Sequence, residues 1–217
     1  MNFPAILNIL GHVIKYELLL LLIPFAVALF YGQGDASAFL YTILIMLPIS
    51  IILTRVKGKK KEIYAKEGFL TVGLAWIVIS FFGALPFVFN GAIPSFIDAF
   101  FETSSGFTTT GASILTEIQS LPKGILFWRS FTHWVGGMGF LIFILALMPT
   151  FSGNTIHLLK AESPGPTPGK IVPKIKQTAK ILYAIYFVLT VIETIFLKFA
   201  GMSWYDAIIH ALGTAGT

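Results

Sequence analysis

A chain of 217 residues that is 56% hydrophobic, 15% aromatic and only 12% charged is too apolar for a soluble enzyme and reads as an all-α integral membrane protein. Cysteine is absent, which excludes a disulfide framework and a thiolate metal site. The formal net charge of +5 does not point to nucleic acid: of 15 Lys and Arg, six lie between Arg55 and Lys66 and five between Lys160 and Lys180, and short basic loops of this kind stay cytoplasmic.

Met1 to Gly11 is a short start containing Pro4, without the order of regions that a signal peptide requires. The first apolar run extends from about Val13 to Phe30, with Lys15 and Glu17 near its beginning and Pro24 as a kink. After the polar turn Tyr31 to Ala36, a second run from about Ala38 to Leu53 returns to the first basic cluster. Residues 1–67 are therefore expected to form a transmembrane hairpin with its basic loop, both ends cytoplasmic. A third run, Phe69 to Phe89, crosses outward and opens a unit spanning 68–150.

Within that unit the stretch SFIDAFFETSSGFTTTGAS, Ser95 to Ser113, carries the main functional signal. Ser95 caps a helix whose Asp98 sits in the first turn, and from Ser95 to Gly106 that helix reaches about 18 Å, roughly half of a hydrocarbon core. Thr108, Thr109, Thr110, Gly111, Ala112 and Ser113 follow with no apolar periodicity and no charge. Irregular backbone at membrane depth is tolerated only where protein or a water-filled pathway surrounds it. The pattern predicts a re-entrant pore loop whose carbonyl oxygens replace a cation's hydration shell, facing the negative end of the half-helix dipole. A Thr-rich extracellular turn after a short amphipathic helix is the competing reading.

A fourth run, Ile125 to Met148, is expected to cross inward, with Arg129 and His133 one turn apart in its polar outer third and Gly136, Gly137 and Gly139 further along. Those glycines fit close helix packing behind the loop, or a hinge. A Pro- and Gly-rich linker, 151–180, precedes a fifth run, Ile181 to Ala200, which opens the last unit, 181–217. Shifted by 108 residues, Ser95 superposes on Ser203, Asp98 on Asp206, Ala99 on Ala207 and Thr109 on Thr217, each copy following an outward span. The chain stops inside this second loop, as expected of a piece of a longer protein or of a short chain completed by a partner.

Ser95, Asp98, Ser203 and Asp206 are expected to stabilise the half-helix starts. Glu102 is placed at the outer mouth, where its negative potential attracts cations. Arg129 is a candidate for gating, or else bonds at the interface as His133 does; Glu193 is an intramembrane carboxylate that Lys198 or a water-filled vestibule could satisfy. No catalytic constellation is found: the four histidines are scattered and no phosphate-binding loop or nucleophile elbow occurs. The protein is accordingly read as no enzyme. A non-conducting scaffold or regulatory module, and a membrane enzyme acting on a lipid or phosphate group, are the alternatives.

The string FETSSGFTTTGAS, followed by FWRSFTHWVGGMGFLIF, resembles the first pore repeat of the Trk-type potassium uptake subunits, in the superfamily that also holds the Ktr and plant HKT transporters. The resemblance covers nearly the whole chain, and the initial hairpin is similar to the two-helix segment preceding the first repeat in the Trk branch. It implies four span–loop–span repeats around one pseudo-fourfold pore, of which this chain holds about one and a half. Thr109, Thr110 and Gly111 would then be the first repeat's filter contribution, flanked by Thr108 and Ala112, and Thr217 would begin the second's, with potassium held at Thr109, Thr110 and Thr217. One glycine per repeat implies a filter less rigid than that of a strict potassium channel. Potassium is implied as substrate, with no covalent cofactor; a cytoplasmic nucleotide-binding regulatory subunit, a second copy of the chain and membrane lipid are implied as partners; and a bacterial-type plasma (inner) membrane as location.

Overall fold

The computed structural model describes residues 2–56, 65–139 and 175–216. Among the described residues the helices in chain order are α1 (Phe3–Tyr31), α2 (Ala36–Thr54), α3 (Ala65–Asn90), α4 (Phe96–Phe107), α5 (Lys123–Gly137), α6 (Ile175–Phe199) and α7 (Trp204–Gly216). Among the described residues four helices are long and apolar enough to cross a membrane: α1, α2, Glu67–Asn90 of α3 and Ile181–Phe199 of α6. The 12 residues of α4 and 13 of α7 span only about 18–20 Å, too short for a crossing.

The start of the chain departs from expectation, because α1 begins at Phe3 and not near Val13. Asn2 caps it, its side chain accepting from the Ala5 N–H at 3.4 Å, and Pro4 stands in the first turn, where its missing N–H costs nothing. Asn8 and Gly11 in this stretch make contacts between helices. Asn8 Nδ2 donates to the carbonyls of Thr54 at 2.7 Å and Val56 at 3.1 Å, closing the open end of α2, and a side chain at Gly11 would overlap Leu53. The hairpin α1–α2 packs against α3 and α5 through one apolar core that includes Val13, Leu21, Phe39, Ile79, Phe107 and Trp128. Trp128 also donates its indole N–H to the Gly83 carbonyl at 2.8 Å, tying α5 to α3. Phe30, Ile52, Ile77, Phe196 and Phe199 remain exposed, as suits side chains that face lipid.

The fourth apolar run is described only in its first part. Helix α5 ends at Gly137, followed by Met138 as its cap and Gly139 at φ 67°. The rest of the expected span to Met148, the Pro- and Gly-rich linker and most of both basic clusters lie outside the described residues.

Candidate functional site

The Ser95 hydroxyl caps α4, accepting weakly from the Asp98 N–H at 3.5 Å, and Asp98 lies in the first turn where the helix dipole favours a carboxylate. The other end closes with two reversed hydrogen bonds, Thr109 N–H to Gly106 O at 3.0 Å and Thr110 N–H to Ser105 O at 2.9 Å. This pair is the Schellman closure, which needs a left-handed residue at its hinge, and glycine usually fills it. Here Thr109 does, at φ 55°, the only described non-glycine residue with positive φ. A β-branched side chain in that region costs on the order of 1–2 kcal/mol, so the loop holds Thr109 against its backbone preference. Gly111 is left-handed as well, at φ 75°, with Thr110 between them.

The loop is fastened from behind. Ser105 Oγ donates to the Ala112 carbonyl at 2.6 Å, folding the outgoing strand onto the half-helix. Thr108 Oγ1 donates to Ser104 O at 2.7 Å and lies 2.8 Å from Thr110 Oγ1. Glu102 accepts from Ser113 Oγ at 3.0 Å and from the Ile114 N–H at 2.9 Å, while Arg129 Nε of α5 donates to its Oε1 at 2.7 Å. Glu102, expected near the outer mouth, is enclosed by these partners. It is 2% exposed and charge-paired, because it lies on the α4 face turned to α5. Arg129 is tied through this pair to the residue that holds Ser113 and Ile114. His133 is buried, its Nδ1 3.0 Å from the Arg129 carbonyl one turn back.

The second half-helix repeats the first at its start. Ser203 Oγ accepts from the Asp206 N–H at 3.1 Å and donates to Asp206 Oδ2 at 2.7 Å. Thr217, the expected beginning of the second ion-lining stretch, lies outside the described residues. Lys198 does not satisfy Glu193: its ammonium donates to the Met202 carbonyl at 3.2 Å and lies over the Trp204 ring at 5.6 Å, and Glu193 sits half-buried on α6.

Both half-helices end against α5, where glycines let backbones meet. A side chain at Gly136 would run into the Phe107 carbonyl, and one at Gly216 would come within 2.5 Å of the His133 backbone. Tyr186 of α6 bridges the same junction, donating to Ala215 O at 2.9 Å or to Trp134 O at 3.1 Å. These contacts give the glycines of this segment a packing role. Two features escape a reading by residue spacing: the Glu102–Arg129 pair, whose members are 27 positions apart, and Glu17. Glu17 is fully buried beside Gly83, and its carboxylate oxygens have no hydrogen-bond partner among the described residues. No group of three or more His, Cys, Asp or Glu able to hold a metal ion occurs among the described residues.

Apolar spans that each lead into a capped half-helix, with both half-helix ends meeting on one glycine-bearing helix, define an all-helical integral membrane protein built from span and half-helix units. Residues 37–215 match the family model TrkH, described as a cation transport protein, and the chain belongs to that family. It is 42% identical to the Trk system potassium uptake protein TrkH of Escherichia coli over 99% of this chain and 45% of the relative. An uncharacterised cation transporter of Methanocaldococcus jannaschii is 33% identical over 95% of this chain and 43% of its own length. The crystal structure of the potassium transporter TrkH from Vibrio parahaemolyticus superposes with a TM-score of 0.79 at 34% identity, covering 98% of this chain and 42% of that one. The chain thus spans a little under half the length of the curated relatives it matches.

Proposed function

We propose that this chain forms the first part of the ion pathway of a potassium uptake protein, in which backbone carbonyls of Thr109 to Gly111, flanked by Thr108 and Ala112, select the cation. The observation that carries the reading is the conformation of that loop. Left-handed residues at Thr109 and Gly111, with Thr110 between, alternate the hand of the chain. Alternation gathers successive peptide N–H groups on one side, so that their carbonyls turn to the other, where they can replace water around a cation. The negative end of the α4 dipole, equivalent to roughly half an elementary charge, lies at the same place. The names of the relatives, which specify potassium uptake and a multi-component Trk system, support potassium as the ion and other proteins as partners. With the amino terminus cytoplasmic, the loop faces the outer side of a bacterial-type plasma membrane. A nucleotide-binding regulatory protein docks on the inner side and two copies pair. Neither the scaffold reading nor the enzyme reading explains why a threonine is held in a left-handed conformation at a half-helix end.

The test is rubidium uptake by liposomes containing the purified full-length protein that carries this segment. Uptake that sodium competes with poorly supports the reading; turnover of a lipid without ion flux overturns it. Gly111→Ser bears on the mechanism. Nothing lies within 4 Å of the position a side chain would take, so the change is free of clashes and acts through φ 75° alone. The strain of about 1–2 kcal/mol is expected to lower potassium-over-sodium preference by roughly tenfold without preventing membrane insertion. Competition between rubidium and sodium in the same liposomes measures it.

A further inference from the structure

The turn that joins the two hairpin helices is fastened to the pore unit by its side chains. Asp35 occupies the N-cap position of α2, yet makes no side-chain cap bond there. Its carboxylate instead accepts from the Ile125 N–H of α5 at 3.2 Å, and the Gln33 carbonyl oxygen accepts from the Lys123 N–H at 2.7 Å. Helix α5 begins after Pro122, which offers no side-chain cap, so its first amides are satisfied by residues 90 positions earlier in the chain. Asp35 is fully buried, and Gly124 admits it: a side chain at 124 would collide with Asp35 Oδ2 and with Ala28 of α1. The same end of α5 meets the second half-helix. Tyr205 of α7 donates to the Lys123 carbonyl at 2.6 Å, and the Lys123 ammonium lies over the rings of Tyr205 at 4.1 Å and Tyr31 at 5.1 Å.

Helix α5 is a rod of about 22 Å. Its first turn is held by the hairpin; its middle carries Arg129, the partner of Glu102; its last turns seat Phe107 and Gly216. Whatever fixes the first turn therefore fixes the height and rotation of the groups that hold both half-helix ends. We infer that Asp35 and Gln33 are positioning residues for ion selection, acting through α5, so that the amino-terminal hairpin sets the spacing of the filter elements and does more than anchor the chain. This rests on the ion-pathway reading given above.

The experiment measures sodium competition against rubidium uptake, with thermal unfolding in parallel, for full-length wild type, Asp35→Ala, Asp35→Asn and Gln33→Ala. Asp35→Ala is expected to lower discrimination about fivefold, the scale of one lost cap. Asp35→Asn, which keeps the acceptor oxygen, restores most of it, and Gln33→Ala gives a smaller loss in the same direction. Gln33 is exposed, so its variant remains readable if Asp35→Ala fails to fold. A lowered unfolding temperature with wild-type discrimination in Gln33→Ala and in whichever Asp35 variants fold reduces the turn to a structural brace and overturns the inference. Absence of rubidium uptake by the wild type overturns the ion-pathway reading itself, and this one with it.

Discussion

In the full-length protein, Glu102→Gln is expected to lower the unfolding temperature and to abolish most of the preference for potassium over sodium. Glu102 is 2% exposed and is the shared acceptor for Arg129, Ser113 and the Ile114 N–H. Removing its charge leaves the guanidinium without its counter-charge, though the amide keeps one acceptor oxygen, and breaking a buried pair costs on the order of 3–5 kcal/mol. Arg129 keeps some contact with its surroundings, its side chain being 17% exposed, which places the loss toward the lower figure. The functional loss follows from what the pair holds. Ser113 and Ile114 are the first residues after the candidate filter. The amide leaves one acceptor oxygen where the carboxylate offered two oxygens to three donors, so the outgoing segment depends more on the Ser105–Ala112 hydrogen bond to stay against α4. Adding Arg129→Gln to Glu102→Gln removes the stranded charge and is expected to recover part of the stability but little of the selectivity. A double-mutant cycle on thermal unfolding, with ion competition measured alongside, separates the two effects. Wild-type selectivity in Glu102→Gln would show that the loop holds its shape without the clamp.

Gly136→Ala is the second change with a large expected effect. The added methyl would overlap the Phe107 carbonyl, a backbone atom that cannot swing aside as the end of a long side chain can. Overpacking commonly costs 1–3 kcal/mol, but the displaced peptide here immediately precedes Thr108, so flux should suffer more than folding. Gly73→Ala on α3 is the control: nothing lies within 4 Å of its added carbon, and stability is expected to stay level or rise slightly. Measured as rubidium uptake per mole of folded protein, Gly136→Ala should fall well below Gly73→Ala. Equal uptake would mean that α5 does not set the position of the half-helix end.

Local signals carried much of this site and long-range ones did not. The helix expected from Ser95 to Gly106 runs from Phe96 to Phe107, because Ser95 caps it and the threonine run ends it. The start of α1 was less legible: Asn8 and Gly11 look like interruptions of an apolar run until α2 lies beside them and gives each its contact. Asp35 reads as an ordinary turn residue and Glu102 as a solvated charge for the same reason. Their partners, Ile125 and Arg129, come from another helix, and no periodicity within one helix announces a bond made across two. The left-handed Thr109 was also hidden, since threonine is among the residues least expected there.

The proposed function rests on main-chain oxygens held at the end of a short helix. The most direct measurement is the anomalous diffraction of rubidium in crystals of the full-length protein. Rubidium coordinated by carbonyl oxygens within Thr108 to Ala112, and lost or displaced in Gly111→Ser, is the predicted result. Rubidium bound only by side-chain carboxylates, with none at these carbonyls, would contradict the account.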